Sequence, residues 1–240
     1  RTADAEDFDT VHVALPEKVG RACRENDIGR LLHMSALKAS SAAPSRYLQT
    51  KALGEDATHA LSREGVAVTS FRPSVIFGPQ DSFFNRFGAL LKLSPLVMPL
   101  ACPNARFAPV FVGDVAEAFV RSLEDETTHG QRYQLCGPGV YTLEALVEFT
   151  ARQLGLRRRV LPLGDRISWL QAAVLDYVPG KPFSTDNYQS LQVDSICAGG
   201  PDLCALGIEP FSIEAIVPTY LGGRNKTGRL RSFRQLARRG

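Results

Sequence analysis

The fold of this chain is decided between residues 30 and 79, where RLLHMS (30–35) is followed by SRYLQTKALGE (45–55) and GVAVTSFRPSVIFGP (65–79). The first run is short and apolar, as is typical of a buried strand, and it ends at Ser35. Ser45 is a good N-cap for a helix that runs to about Glu64, and Gly65 ends that helix. Residues 66–71 then alternate as a strand does. A strand, a helix and a strand in this order predict a parallel sheet covered by helices.

The segments on either side extend this α/β pattern. Residues 9–27 have helical apolar spacing, and residues after 79 alternate again between helix and strand. The character changes beyond Gly137-Pro138, where helices dominate. We therefore predict a sheet unit over residues 1–140, a smaller α-rich unit over 141–222 and a basic tail over 223–240. The further elements predicted are helices Ser82–Leu93, Asp114–Leu123, Thr142–Leu154, Asp165–Tyr177 and Thr185–Leu191, and strands Pro109–Val112, Gln131–Cys136 and Arg158–Leu163.

Tyr47 and Lys51 are the first candidates for chemistry. Positions i and i+4 share a helix face, so the phenol and the ammonium can approach one small volume. A nearby cation favours the phenolate, which predicts a lowered pKa for Tyr47 and a role as proton donor or acceptor. Since ligands bind at the carboxyl ends of parallel strands, Ser35 and the loop 73–79 should share one rim with Tyr47. The alternative is an amphipathic pair whose stems pack on the sheet.

The bulk composition is that of an ordinary globular domain, with 44% hydrophobic and 22% charged residues among 240. The five cysteines form no C-x-x-C pair, so we expect all five to be buried free thiols in a reducing compartment. The four histidines are scattered, and we expect no metal. Residues 90–102 are apolar but interrupted by Lys92, Pro95 and Pro99, so this stretch cannot span a bilayer.

The charge of +3 is unevenly distributed. Residues Arg224–Gly240 contain seven basic and no acidic side chains, so the remainder of the chain is net acidic. Such a tail could contact anionic lipid or an acidic partner. A solvated, frayed terminus is the alternative. We expect no nucleic acid as a partner.

Taken together, the motifs resemble the extended and atypical short-chain dehydrogenase/reductases. Within that family they look like the branch of the 39 kDa accessory subunit of respiratory complex I and its bacterial relatives. The resemblance covers about residues 8–211, and its motifs are HMSA (33–36), SRYLQTKALGE (45–55), FRPSVIFGP (71–79), DSFFNRF (81–87), PVFVGDVA (109–116) and YQLCGP (133–138). It implies a Rossmann-like parallel sheet of which this chain carries the C-terminal strands.

The resemblance also implies a role for each site residue. Lys51 would hydrogen-bond the nicotinamide ribose, Tyr47 would be the acid/base, and Ser35 would lie beside the cofactor, so these three are the predicted catalytic residues. The predicted cofactor-binding residues are Ser35, Tyr47, Lys51, Pro73, Ser74, Val75 and Ile76. The cofactor would be NAD or NADP, with NADPH slightly favoured. Arg72-Pro73 as a plain strand terminator remains an alternative, and we expect Asp114 to be a helix N-cap rather than a site residue.

Two departures from the family pattern set further expectations. Ser35 is followed by Ala36 and Leu37, where active members carry a run of hydroxyl residues, so we expect a bound cofactor with slow or no turnover. No Gly-rich fingerprint for the pyrophosphate precedes Tyr47. We therefore expect this chain to be the C-terminal part of a longer protein, and the strand ending at Ser35 to have an unpaired or mispaired edge.

Three functions are weighed. The leading one is an NAD(P)H-binding protein with a structural nucleotide that assists assembly or stability of respiratory complex I, whose subunits would be its partners. The second is an active reductase, epimerase or dehydratase that uses Tyr47 and Lys51. The third is a membrane-surface module that binds through Arg224–Gly240. We expect a cytoplasmic location or a peripheral one on the inner membrane, on the matrix side in a eukaryote.

Overall fold

The computed structural model describes residues 8–179 and 182–222 as an α/β protein, which confirms the predicted fold class. Its helices are α1 (Leu15–Glu25), α2 (Arg46–Ala60), α3 (Phe84–Leu93), α4 (Val112–Ser122), α5 (Leu143–Gln153), α6 (Asp165–Leu175), α7 (Thr185–Ser190) and α8 (Ile213–Tyr220). Its strands are β1 (Arg30–Met34), β2 (Ala67–Pro73), β3 (Ile76–Phe77), β4 (Val97–Leu100), β5 (Arg106–Phe107), β6 (Val110–Phe111), β7 (Arg132–Leu135), β8 (Tyr141–Thr142) and β9 (Arg159–Pro162). The basic tail lies outside the described residues.

The central sheet has the order β1-β2-β7, and both pairs are parallel. Helix α2 connects β1 to β2 as the sequence predicted. The Ser45 hydroxyl caps it by accepting from the Leu48 amide at 3.3 Å. A 3-10 turn over Leu61–Glu64 continues α2, and Gly65 ends it at φ 88°, a left-handed conformation that glycine adopts without steric cost.

Strand β1 is paired on one side only among the described residues. Its five residues are all half-buried, whereas β2 beside it contains five fully buried residues. The predicted unpaired edge at this strand is therefore confirmed within the described part of the chain.

Three two-stranded sheets complete the architecture: β3-β6 and β4-β9 are parallel, and β5-β8 is antiparallel. Strands β3, β4, β5 and β8 were not predicted. All but β4 contain two residues, too few for alternation to be visible in a sequence. β4 lies within the apolar residues 90–102. For these residues the sequence predicts only that they are too interrupted to span a membrane. No helix among the described residues is long and apolar enough to do so.

The largest core cluster joins the two halves of the chain. Phe77 and Phe84 pack with Leu146, Phe211 and Ile213, and all five are almost completely buried. A second cluster lies against the central sheet around Phe71 and Leu135. Residues before and after position 140 therefore share one core, and the division at that position stays a prediction.

The expectation of five free cysteines is wrong. Cys136 and Cys197 form a disulfide with their Cα atoms 6.1 Å apart, and Cys23, Cys102 and Cys204 are free. No local pattern predicts this bridge, because 61 positions separate its two cysteines. Cys136 directly follows β7, and the return of segment 190–197 to the end of that strand brings Cys197 beside it.

The expectation that Asp114 caps a helix is also wrong. The capping position of α4 is Phe111, and Asp114 is the third residue of the helix, buried in its first turn. One of its carboxylate oxygens accepts a 2.7 Å hydrogen bond from the Phe211 amide. Asp114 thereby connects α4 to the segment that precedes α8, which is a structural role.

The N-terminal helical segment packs closely on α2. It begins as a π-helical turn over Thr10–Ala14 and continues as α1. A Cβ atom added at Gly54 would lie 1.7 Å from the His12 carbonyl oxygen, so only glycine permits this approach. The consequence for the site is that His12 is held beside the face of α2 that carries Tyr47.

Candidate cofactor site

A pocket of about 190 Å³ opens at the carboxyl ends of β1 and β2. It is mostly apolar, with hydroxyl groups and one lysine among its walls. The lining residues are Ala36, Leu37, Lys38, Tyr47, Leu48, Pro73, Ser74, Val75, Phe107, Ser190, Leu191, Val193 and Ser195. A concave apolar site with a few polar groups at strand ends is the usual form of a ligand site in an α/β protein.

The predicted rim residues are brought together here. The loop after β1 is held to β2 by backbone bonds, from Ser35 N to Phe71 O at 2.8 Å and from Leu37 N to Pro73 O at 2.9 Å. Of the seven predicted site residues, four line the pocket and three do not. The four are Tyr47, Pro73, Ser74 and Val75, and the three are Ser35, Lys51 and Ile76.

The Ser35 hydroxyl is turned into a buried polar network behind the pocket. It donates a 2.7 Å hydrogen bond to Glu55, whose side chain is fully buried. The Arg72 Nε lies 2.9 and 3.0 Å from the two Glu55 oxygens, and Arg132 approaches one of them at 3.5 Å. A buried carboxylate is tolerated only when it is paired and hydrogen-bonded in this way. Ser35 is thus engaged in the interior, and the wall at this position is formed by Ala36 and Leu37.

The predicted lowering of the Tyr47 pKa is wrong. Tyr47 is half-buried, and the burial of its phenol raises the pKa because the phenolate loses hydration. Its ring has edge contacts with Phe8 at 6.0 Å and His12 at 5.4 Å between centroids. The i, i+4 spacing placed Lys51 on the same helix, but tertiary packing from the N-terminal segment determines the surroundings of the phenol.

Lys51 is held against the end of β1. Its Nζ donates to the Met34 carbonyl oxygen at 3.1 Å. Burial lowers its pKa, and the nearby Glu55 carboxylate acts in the opposite direction. An ammonium has three N–H donors, so the bond to Met34 leaves two for other acceptors.

The opposite wall of the pocket is segment 190–197, which sequence reasoning missed. The Ser74 hydroxyl donates to the Ser195 carbonyl at 2.7 Å, and the two hydroxyl oxygens lie 3.0 Å apart. Asp194 forms an ion pair with Arg106 at 2.7 Å. No sequence signal links Ser74 to a residue 121 positions away. The Glu55 network was also missed, although Glu55 lies one turn after Lys51 and could have been noticed as a charge on the buried face of α2.

Two histidines near the site should make stability pH-dependent. His33 on β1 has a pKa lowered to about 4, mainly by burial and then by Lys51, and its Nε2 has no hydrogen-bond partner among the described residues. The His12 pKa is likewise lowered to about 4, mainly by burial. Because the unfolded chain takes up these protons near pH 6.5, stability is fully present above that pH and falls toward pH 4.

We therefore expect urea midpoints to decrease as the pH is lowered from 7 to 5. Each histidine can contribute at most about 1.4 kcal/mol per pH unit. His59 also has a pKa lowered by burial and contributes in the same direction. In a His33→Leu variant the decrease should be smaller, because one of these histidines no longer titrates. The same decrease in the variant and the wild-type chain would contradict a role for His33.

The fold and the site define the class of protein. A parallel sheet, a helix that carries tyrosine and lysine, and a pocket at the carboxyl ends of the strands are typical of dinucleotide-binding α/β proteins. Residues 1–136, more than half of the chain, match the NAD dependent epimerase/dehydratase family. The chain belongs to this family. The family and its branch were both predicted from the motifs between residues 33 and 138, and the comparisons with known proteins confirm them.

Among proteins of known name, the chain is similar to NADH dehydrogenase [ubiquinone] 1 alpha subcomplex subunit 9, mitochondrial, of Mus musculus. The two are 30% identical over 217 residues, which cover 87% of this chain and 55% of the relative. The Arabidopsis thaliana protein of the same name is 30% identical, with 80% and 48% covered. The chain thus spans about half the length of these relatives.

Solved structures support the fold alone. MoeE5 in complex with UDP-glucose and NAD has a TM-score of 0.66 at 15% identity, with 96% of this chain and 74% of that chain covered. DesIV, a dTDP-glucose 4,6-dehydratase from Streptomyces venezuelae with NAD and TYD bound, has a TM-score of 0.68 at 18% identity, with 90% and 66% covered.

Proposed function

We propose that this chain is part of an accessory protein of respiratory complex I that binds a nicotinamide dinucleotide as a structural group and does not turn substrate over. The observation that carries the proposal is the 2.7 Å bond from Ser35 to the buried Glu55. A hydroxyl that polarises a substrate carbonyl has to face the pocket. In this chain the pocket wall after β1 is formed by Ala36 and Leu37, which are apolar. The Ser35 hydroxyl, at the end of β1, does not line the pocket and is bonded to Glu55 in the interior.

The state of Tyr47 supports the same proposal. A general acid/base works best with a pKa near the working pH. Burial instead raises the pKa of this phenol, and no hydrogen bond of its oxygen to another described residue is present. Tyr47 then serves as a wall of the nicotinamide pocket, together with Pro73, Ser74 and Val75.

The nucleotide is NAD or NADP, with NADPH favoured by the resemblance, and no metal is part of the proposal. Lys51 would direct its two remaining N–H donors to the nicotinamide ribose. The names of the mitochondrial relatives support subunits of respiratory complex I as partners and a mitochondrial location in a eukaryote. A peripheral position on the inner membrane, on the matrix side, is part of the proposal and rests on the resemblance. Among the described residues no group of three or more histidine, cysteine, aspartate or glutamate side chains is placed to hold a metal ion.

Replacement of Lys51 tests nucleotide binding. We expect NADPH to raise the Tm of the wild-type chain and to bind Lys51→Ala about 10- to 100-fold more weakly, since a charged hydrogen bond contributes about 1.5–3 kcal/mol. Lys92→Ala, at an exposed position of α3, is the matched control and should bind as the wild type does. A Tm of the wild-type chain that NADPH and NADH leave unchanged would contradict the proposal.

The second candidate function is an active reductase, epimerase or dehydratase. It is favoured by one observation, the contact of Tyr47 with a pocket of about 190 Å³. The same preparations would be incubated with NAD and UDP-glucose while reduction of the nicotinamide is followed. Turnover in the wild-type chain that disappears in Tyr47→Phe, with nucleotide affinity retained, would establish this function and refute the structural role.

A further inference from the structure

Residues 184–197, which we call the strap, form one wall of the pocket. Helix α7 is the first part of the strap, and the residues after it continue to Cys197. Four side chains of the strap line the cavity, namely Ser190, Leu191, Val193 and Ser195. The strap therefore has to stay in place for the pocket to keep its shape.

The first end of the strap is held on the helix that carries Tyr47. The Asp186 carboxylate accepts hydrogen bonds from the backbone amides of Arg46 at 2.6 Å and of Tyr47 at 3.4 Å. These amides belong to the first turn of α2, where the helix dipole also favours a carboxylate. The Tyr188 hydroxyl donates a 2.6 Å hydrogen bond to Asp165 on α6. This end of the strap is thus anchored by hydrogen bonds.

The other end of the strap is fixed by the disulfide. Cys136, which directly follows β7, is 1% exposed, and its partner Cys197 is the last residue of the strap. Gly199 at φ 86° and Gly200 at φ 102° follow, in a conformation that glycine adopts without steric cost. A Cβ atom added at either glycine would meet nothing within 4 Å. Since no neighbouring atoms crowd the chain there, the bridge is the strongest constraint on this end.

Weaker contacts attach the strap between its two ends. The Ser195 amide donates to the Arg106 carbonyl at 2.8 Å, and the Ala108 amide donates to the Ser195 carbonyl at 3.0 Å. The ion pair of Asp194 with Arg106 is partly exposed. Single hydrogen bonds and exposed ion pairs each contribute little to stability. Without the bridge, the strap can therefore leave the pocket edge while the central sheet stays folded.

We propose that the strap is a redox-sensitive wall of the nucleotide pocket, which the Cys136–Cys197 disulfide holds closed and which opens when that bond is reduced. The bridge adjoins the cavity, because Cys136 packs against Leu37 and Leu37 lines the pocket. The proposed cytoplasmic or matrix location is reducing, and disulfides in reducing compartments are usually transient, with redox-sensing or catalytic roles. The effect on nucleotide binding rests on the proposed function, whereas the movement of the strap does not.

The chemical step is thiol–disulfide exchange with a dithiol reductant. A thiolate of the reductant attacks the Cys197 sulfur, which is the more accessible one because Cys197 is half-buried and Cys136 is 1% exposed. The S–S bond breaks, and the Cys136 sulfur leaves as a thiolate that takes up a proton. The second thiol of the reductant then displaces the Cys197 sulfur, which is protonated in turn. The protein gains two electrons and two protons, and the reductant becomes a disulfide.

Nucleotide affinity in the two redox states tests the proposal. NADPH would be titrated into the oxidised chain and into the chain reduced with dithiothreitol, both well below their Tm. We expect reduction to weaken binding about tenfold, a factor that corresponds to about 1.4 kcal/mol, since binding then has to order the released wall. Cys197→Ser should bind as weakly as the reduced chain and should not respond to dithiothreitol. Cys204→Ser keeps the bridge and should bind and respond as the wild type does.

Hydrogen–deuterium exchange measures the movement of the strap without any nucleotide. At short exchange times the reduced chain should exchange residues 190–197 while β2 stays protected, because local opening costs less than global unfolding. Leu146→Ala is the matched control for lowered stability. Leu146 is 0% exposed in the largest core cluster and does not line the pocket. Its replacement should destabilise the fold but leave NADPH affinity and strap exchange unchanged.

Two results would overturn the proposal. Equal NADPH affinity of the oxidised and reduced chains would show that the bridge only stabilises the fold. Loss of protection in β2 together with the strap would show that reduction unfolds the whole chain. If neither redox state binds NADPH, the proposed nucleotide function fails, and the exchange of residues 190–197 alone then decides whether reduction opens the strap.

Discussion

Replacing Glu55 with alanine is expected to lower the free energy of unfolding by about 3–5 kcal/mol. Its side chain is fully buried and accepts from Ser35 at 2.7 Å and from Arg72 at 2.9 and 3.0 Å. Removal of the carboxylate leaves the Arg72 guanidinium, only a quarter exposed, without its charged partner. The uncompensated charge accounts for most of the expected effect. Chemical denaturation of the purified chain measures it.

The matched control for Glu55 is Glu64, which also pairs with an arginine. Its ion pair with Arg24 has a similar nitrogen–oxygen distance of 2.8 Å, but both side chains are about half exposed. An exposed pair contributes at most about 1 kcal/mol, so Glu64→Ala should change stability little. If Glu55→Ala and Glu64→Ala lowered the free energy of unfolding equally, the buried Glu55 network would stabilise the fold no more than an exposed ion pair does. Glu55→Gln keeps the volume and should fall between them.

Opening the Cys136–Cys197 disulfide should have an effect of similar size. The bridge joins residues 61 positions apart, and closing such a loop restricts the unfolded chain by about 4 kcal/mol in the chain-entropy account. We expect Cys197→Ser to lose most of this amount. A dithiol reductant should do the same to the wild-type chain. Thermal unfolding with and without reductant is the measurement.

The free cysteines provide the control for that experiment. Cys204 is exposed and unbridged, so Cys204→Ser should leave the Tm unchanged and should keep its response to reductant. A reductant that has no effect on the wild-type Tm would show that the bridge does not form in the protein. The same bridge holds segment 190–197 at the pocket, so its loss should also speed proteolysis of that segment.

Much of the fold could be read from local sequence. The Ser45 cap, the Gly65 terminator and the strands on either side of α2 depend on the conformational preferences of neighbouring residues, which act wherever the chain lies. The loop after β1 and the rim at Pro73–Val75 followed from the rule that parallel strands end at the same edge. The motifs between residues 33 and 138 identified the family, because several of them occur in the expected order.

The remainder depended on contacts between distant residues. Spacing placed Tyr47 and Lys51 on one helix, but burial beneath Phe8 and His12 determined the direction in which the Tyr47 pKa is shifted. The pairing of Cys136 with Cys197 and the turn of Ser35 toward Glu55 arise only when separate segments pack together. Conformational preferences depend on residues that are adjacent in sequence, so they can be predicted from the sequence. pKa shifts, disulfide bridges and pocket walls result from desolvation and from contacts between residues distant in sequence, so only the tertiary structure decides them.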